Sequence, residues 1–379
     1  LKKLSPSYRV FFKDEKAPVD LYSDTAKNKE LFESLEPGAG AKLDIFLRDT
    51  KFQYEVAYNE FMFKNYNNIF DFMNRRVMEV GRKLPLLKSQ KAIVNKLFKN
   101  EILRRVMQYQ TLLVGTAPKE TPGIYTLMNY VDLVEGEWYP DGGIGKVPEA
   151  LVATATELGV IFHTHKEAEK ILVEKGIVKG IRFVGGEEYM FDIVVSNADI
   201  AHTNMVLLDE EYRTKSPKYW DKRRLAPSAF IMYLGVDGEI PELTHHNLLS
   251  AIDWDKNFDQ LTTHPAWPED PSLYICNPSK SDANVAPAGK ENLFVLVPVA
   301  PGMEYTDAFE ADYADFILTL IEKTIKIPNF KNRIVYKKIY AIKDFAKDYN
   351  AFKGTALGLA HTIGQTAIFR PNNINTKVQ

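Results

Sequence analysis

The stretch Tyr139–Phe162, YPDGGIGKVPEALVATATELGVIF, sets Gly142, Gly143 and Gly145 directly ahead of a helix-forming run, with Lys146 behind the last glycine. This is the outline of a nucleotide-binding turn, but the established phosphate signatures do not fit it. A P-loop requires GxxxxGK followed by Ser or Thr; here Pro140 holds the first glycine position and Val147 follows Lys146. A GxGxxG fingerprint requires a buried strand immediately before it, whereas VEGEWYPD is polar and turn-rich. On these residues alone, a glycine-rich helix start without a ligand outweighs a phosphate cradle.

Outward from this stretch, Val147, Leu151, Thr154 and Leu158 share one helical face, Pro148 sits in the first turn and Gly159 supplies the stop. Short strands are expected next in VIF, AEKILVE, IVKGIRFV and YMFDIVVSNAD. Turns at Lys175-Gly176 and Gly185-Gly186 predict a three-stranded antiparallel meander. Upstream, YRVFF (Tyr8 to Phe12) reads as a strand, and residues 41–114 turn helical, with Ile93, Leu97, Phe98, Ile102 and Val106 at three- and four-residue spacing. Downstream, SAFIMYLGV, SLYICNPS, NLFVLVPV and RIVYKKIYA make residues 227–340 strand-rich. One helix, from Tyr305 to Lys326, interrupts them, with Phe309, Tyr313, Phe316, Leu320 and Ile321 on a single face. The expectation is a mixed sheet carrying at least one helix.

The chain's 379 residues suffice for two or more domains, and 45% hydrophobic with 26% charged residues describe a globular protein. A net charge of −2 provides no overall field to recruit nucleic acid. The single cysteine, Cys276, excludes an internal disulfide framework and a thiolate metal cluster. The longest apolar run, LFVLVPVAP from Leu293, is far short of the roughly 20 residues of a spanning helix.

Two histidine groupings stand out, His163/His165 and His245/His246. With no third ligand suggested near the first pair, surface or turn histidines are the stronger reading and no metal site is expected. No GxSxG elbow is present, and Cys276 falls in an expected buried strand, so a nucleophilic hydrolase has little support. Glu101 and Arg104, at i, i+3 in KNEILRR, read first as a surface ion pair and second as a polar pair facing a cavity. Asp348–Asn373 intersperses Gly354, Gly358 and Gly364 among apolar residues, which suggests that something flat approaches the backbone closely.

Seven phrases in one order carry a resemblance: SYRVFF, LLVGTAP, IYTLMNYVDLVEGEWYPDGGIGKVPEAL, DIVVSNADIAHT, YWDKRRLAPSAFIMYLGV, NPSKSDANVAPAGKENLFVLVPVAP and DYNAFKGTALGLAHTIGQTAIFRPNN. Together they resemble the bacterial-type phytoene desaturases, FAD-dependent carotenoid desaturases, over essentially the whole chain. The resemblance implies an α+β or α/β, amine-oxidase-like flavoprotein. Its expected parts are the start of the substrate sheet (1–40), a helical substrate and membrane-contact region (41–135), a returning part of the FAD domain (136–204), the mixed-sheet substrate domain (205–350) and a return towards the FAD domain (351–379). In such enzymes Gly142 and Gly143 stand beside the isoalloxazine, the Glu167 backbone meets the adenine, and Ser196-Asn197-Ala198-Asp199 closes the meander on the nucleotide. The family's GxGxxG cradle and its C-terminal glycine-rich segment would lie before Leu1 and after Gln379. Residues 1–379 alone are therefore expected to hold FAD weakly or not at all.

The implied reaction is hydride transfer from a C40 or C30 polyene to FAD, with the protein supplying an apolar tunnel and alignment. Glu101 and Arg104 fall where the family has an acidic–basic pair near the reaction centre, though the first position there is usually Asp. The implied partners are a carotenoid, a membrane surface and a quinone or oxygen as electron acceptor; the implied location is cytoplasmic and peripherally membrane-associated. Between Arg75 and Arg105, ten basic residues face two acidic ones, Glu79 and Glu101, among Val77, Leu84, Leu86, Leu87, Ile93 and Leu97. That pattern suits a helix on an anionic surface or, equally, a solvated face over a core. Isomerases, saturases and hydroxycarotenoid desaturases of the same fold remain alternatives, as does a non-catalytic binder of prenyl chains.

Overall fold

The computed structural model describes residues 1–63, 77, 79, 81–366 and 369–379; Arg75 and Arg76 of the basic segment lie outside the described residues. Its strands are β1 (Lys2–Lys3), β2 (Tyr8–Phe12), β3 (Val19–Leu21), β4 (Trp138–Tyr139), β5 (Ala168–Glu174), β6 (Ile177–Phe183), β7 (Glu188–Met190), β8 (Ser228–Asp237), β9 (His246–Ser250), β10 (Leu273–Cys276), β11 (Lys290–Val299) and β12 (Ile334–Tyr340). Seven of them form one mixed sheet in the order β12-β8-β11-β10-β9-β2-β3. Only β2 and β9 pair in parallel within it, Arg9 opposite Asn247 and Phe12 opposite Ser250. β8 and β11 pair antiparallel over all ten residues of each.

One face of the sheet is a closed core. Phe230, Met232, Leu234, Ile275, Val295 and Val297 point from the strands onto Tyr313, Ile317 and Ile321 of the helix Asp307–Ile321. That helix begins where the Thr306 hydroxyl accepts the Phe309 N–H, a short polar cap. The other face is covered at its β2/β9 end by the helices Thr25–Leu35, Ala39–Val56, Gln90–Leu97 and Glu101–Val106, which bring Phe32, Leu43, Phe46, Val94, Phe98 and Leu103 onto Val10, Phe12 and Leu248. The buried Glu36 carboxylate links these helices by accepting the Lys99 and Asn100 N–H groups at 2.7 and 2.8 Å. Towards β8 and β12 this second face opens, and Tyr233 is 40% exposed.

The expected meander is present: β5, β6 and β7 pair antiparallel in sequence order. Its first turn places Lys175 at φ 50 and Gly176 at φ 79, the left-handed pair of a tight hairpin. The helix Lys146–Glu157 is also present, but none of its residues is buried, and Val147, Leu151 and Leu158 of the expected core stripe are exposed.

Several expectations need correction. Val160–Phe162 forms no strand, and the chain leaves the meander after Phe191, whose N–H still bonds the Lys179 carbonyl of β6 at 2.8 Å. Residues 1–40 hold a helix, Thr25–Leu35, besides their strands, started by Asp24 accepting from Ala26 N–H. The buried face of helix Asp307–Ile321 comprises Tyr313, Ala314, Ile317, Leu318 and Ile321, rotated by one position, so Phe309 and Phe316 stay at its rim. The basic segment is not one helix: Leu84–Lys88 is irregular around Pro85. Of the three late glycines, Gly354 (φ 64) is required because a Cβ would collide with the Ile342 carbonyl and Gly358 by its left-handed φ of 74, while Gly364 has open space.

Candidate active site

β4 leads into the turn 140–145, whose Gly142 and Gly143 adopt φ 86 and 96, angles that only glycine reaches without strain. The buried Asp282, in the 277–289 connection of β10 to β11, holds this turn. Its Oδ2 accepts the Gly142 N–H at 2.7 Å and the Tyr139 hydroxyl at 3.4 Å, while Oδ1 accepts the Asn284 N–H at 2.9 Å. The Asn284 and Gly142 amides keep the Asp282 carboxyl below the usual carboxylate range. A Cβ on Gly143 would come no closer to anything than 3.8 Å from the Tyr139 hydroxyl. One side of this backbone is therefore bare and open to a flat ring.

Behind the turn lies a polar cluster in an aromatic setting. Tyr139 stands 4.8 Å from the His245 ring, which meets His246 at 4.5 Å. His245 Nδ1 bonds the Ser281 hydroxyl at 2.8 Å and His246 Nδ1 bonds the Tyr274 hydroxyl at 2.6 Å. Burial, followed by Lys2 for the first ring and His245 for the second, pushes the two imidazoles down to about 4 and about 3, so both are neutral at pH 7. Cys276 completes a trio whose ligand atoms lie within 4.8 Å of one another, and burial raises its thiol pKa. The expectation of surface histidines thus holds for the exposed His163 and His165 and fails for His245 and His246. The register sets Cys276 of β10 opposite His246 of β9, a pairing that sequence spacing alone does not reveal.

A second buried group lies alongside. Asp132 Oδ2 accepts from the Tyr109 hydroxyl and from Gln110 Nε2, each at 2.8 Å. Burial, with Glu137 nearby, raises its carboxyl to about 7 despite the Gln110 bond. Tyr109 in turn touches Tyr8 at 5.4 Å, and Tyr8 stacks on His246 at 5.3 Å, so the two clusters are continuous. Sequence reading passed over Asp132 and Asp282; an acidic residue within an otherwise apolar segment, such as YVDLV, was the available signal for the first.

The expected site residues do not all converge. Asp199 caps the short helix Ile200–His202, accepting from Ala201 and His202 N–H at 2.8 and 3.1 Å, while Asn197 and Ala198 are exposed beside it. The Glu167 carbonyl accepts the Val184 N–H at 2.9 Å at the edge of the meander. Among the described residues, no hydrogen bond joins these positions to the Gly142–Gly143 turn. Glu101 is exposed, 3.6 Å from Arg104 and 3.7 Å from Arg105. Arg105 also bonds Asp14 and the Ile252 carbonyl, at the end of β2 and β9 opposite to Tyr8 and His246. The Glu101–Arg104 pair therefore lies at the strand end away from Tyr8 and His246, where with Lys91, Asn95 and Trp254 it lines a cavity of about 240 Å³.

The fold sets a positive-φ glycine turn against one face of a mixed seven-stranded sheet. Residues 1–375 match the model of the flavin containing amine oxidoreductases, and the chain belongs to that family. Its cofactor is FAD. It is 41% identical over 382 residues to the carotenoid 3,4-desaturase of Haloarcula japonica, covering all of this chain and 76% of the relative. It is 32% identical over 383 residues to the zeta-carotene-forming phytoene desaturase of Myxococcus xanthus, covering all of this chain and 73% of that protein. Among solved structures it resembles an oxidoreductase from Methanosarcina mazei, with a TM-score of 0.55 at 18% identity over 88% of this chain and 68% of the other, a likeness of fold alone.

The buried carboxyl has a measurable signature. Raised from its ordinary 3.8 to about 7, Asp132 keeps its proton in the folded state at pH values where the unfolded chain has lost it. Its contribution to stability is complete below about pH 4 and is lost as pH rises through about 7. Denaturant titrations at pH 5 and pH 8 should show the wild type losing on the order of 2–3 kcal/mol more than Asp132→Asn. Parallel losses in the two proteins would show that the carboxyl titrates normally.

Proposed function

We propose that the chain is an FAD-dependent carotenoid desaturase of the phytoene or diapophytoene type. The observation that carries this reading is the match to carotenoid desaturases along the whole chain. The chemistry of the site agrees with it: the two imidazoles behind the turn are neutral, and the Asp282 and Asp132 carboxyls already accept hydrogen bonds from the chain's own donors, so they offer a protonated amine no free charged hook. An apolar hydrocarbon needs none.

When bound, FAD supplies acceptance of the hydride that desaturation removes from an allylic carbon. Gly142 and Gly143 would present bare backbone at the ring, with Asp282 fixing their position, and the Glu167 backbone with Asn197, Ala198 and Asp199 would serve the nucleotide. The sheet face and Tyr139 exclude water and align the chain. Loss of the adjacent proton from a delocalised cation requires only a weak base. A quinone or oxygen as final acceptor accords with this chemistry. Glu101 and Arg104 are assigned no catalytic step. Expression of the full-length protein in cells that accumulate phytoene tests the reading: coloured, further-desaturated products and a flavin spectrum in the purified protein are expected. A colourless, flavin-free protein would favour the prenyl-chain binder instead.

The same reading places the protein on a membrane surface in the cytoplasm, because its substrate dissolves in lipid. Among the described residues no helix is long and apolar enough to cross a bilayer. The irregular loop 82–88 instead projects Leu87, which is 89% exposed, and Leu86 between the exposed cations Arg82, Lys83 and Lys88. Beside it opens a cavity of about 530 Å³ whose lining mixes apolar residues such as Phe46, Phe52 and Ile93 with polar ones such as Arg48, Asp49 and Gln53. Apolar tips flanked by cations suit an anionic bilayer, each cation adding on the order of 1 kcal/mol. In liposome flotation, binding should require anionic lipid and fall at least tenfold when Arg82, Lys83 and Lys88 become Gln. Equal binding to neutral vesicles would reject this loop as the docking surface.

A further inference from the structure

The face of the sheet opposite helix Asp307–Ile321 carries a row of rings; Tyr8 and Tyr274 in it pack against the helical core, and its far end opens at Tyr233. Tyr8 on β2 stacks on His246 at 5.3 Å and 28°; His246 meets Tyr274 of β10 at 5.8 Å and 31°. Tyr274 meets Phe294 of β11 at 6.2 Å, and Phe294 meets Tyr233 of β8 at 5.6 Å, both edge-on. The register explains the continuity: Phe294 is directly opposite Tyr233, while the His246–Tyr274 and Tyr274–Phe294 steps are diagonal neighbours on the same face. Five strands thus contribute one ring each to a line that runs across the sheet.

Three features separate this row from ordinary cross-strand packing. Its rings lie on the face opposite the closed core under helix Asp307–Ile321, and they become more exposed towards Tyr233, which is 40% exposed. Its polar atoms turn on one another, His246 Nδ1 bonding the Tyr274 hydroxyl at 2.6 Å. It is also continuous with the flavin-side turn, because His246 touches His245, His245 touches Tyr139, and Tyr139 shares Asp282 with Gly142. A chain laid along the row would pass the turn near His246 and reach on over Tyr274, Phe294 and Tyr233. With strands about 4.8 Å apart, the part beyond His246 spans roughly 14 Å.

We propose that Tyr274, Phe294 and Tyr233 form a specificity-determining platform that stacks on the conjugated part of the polyene, so that chains with more conjugated double bonds are held more tightly than unconjugated ones. The proposal rests on the carotenoid reading above and adds to it a stated discrimination. A flat conjugated chain offers π surface to the rings, whereas a puckered, saturated isoprenoid offers only CH contacts. A desaturase so built would retain its partly desaturated chain for a further round of oxidation.

The test uses the full-length protein with Tyr233→Leu and Phe294→Leu, singly and together, which keep apolar bulk and remove the rings. Phe309→Leu, at the rim of the helix on the other side of the sheet, is the control. Lycopene binding is read by the visible circular dichroism that an achiral polyene acquires in a chiral site, and phytoene binding by competition. The double variant should lose lycopene affinity at least tenfold while phytoene affinity changes less than threefold, with Phe309→Leu like the wild type. Equal losses for both probes, or unchanged lycopene binding in the double variant, would overturn the platform while leaving the carotenoid reading standing. Failure of the wild-type protein to bind either probe would overturn the carotenoid reading itself and the platform with it.

Discussion

The carboxylate of Asp282 is the point at which two parts of this molecule are tied together. It stands in the connection between two central strands and accepts the backbone N–H of Gly142 in a segment 140 residues earlier in the chain. Without a buried acceptor there, the positive-φ turn would have an unpaired amide and would be held only through the β1–β4 pairing and the Tyr139–His245 contact. With it, the bare backbone of Gly143, the Tyr139 ring and the open face of the sheet are held in one geometry. A reaction that depends on aligning a flat cofactor with a featureless hydrocarbon needs that kind of constraint, because the substrate supplies no charge by which to be oriented.

The rest of the sheet can be understood from its two unlike faces. The face under helix Asp307–Ile321 is apolar and buried, with Phe230, Met232, Val295 and Val297 fully enclosed. The other face is aromatic and carries neutral polar groups that satisfy one another. Such groups are expensive to bury singly but tolerable as bonded pairs. The two imidazoles are accordingly held in their uncharged forms, and burial lifts the Asp132 carboxyl to about 7. An interior of this kind leaves hydrocarbon and ring surface as its main means of recognition.

How much of this was legible in the sequence depended on whether a feature was local. The hairpin at Lys175-Gly176 and the ten-residue strands β8 and β11 were readable because turn chemistry and continuous apolar runs are written in adjacent residues. β9 was not: His246–Ser250 is short, lacks alternation because both its faces are covered, and pairs in parallel with a strand more than 230 residues away. For the same reason the adjacent histidines looked like surface residues, although register alone brings them to Cys276 and Tyr274. The Gly142–Gly143 turn was recognised through the family's text, but its partner Asp282 was hidden in a loop that reads as a plain connection. The helix Lys146–Glu157 followed its expected bounds, yet its apolar stripe is exposed, so periodicity located the helix without showing what covers it.

The most direct test is the anaerobic rate at which a polyene reduces the bound flavin in the full-length protein carrying Asp282→Ala. If Asp282 sets the turn against the sheet, the variant should keep its fold and its flavin while flavin reduction slows at least tenfold, since misplacement of about an ångström is enough for a loss of that order. A rate within twofold of the wild type, in a variant with full flavin content, would contradict the account.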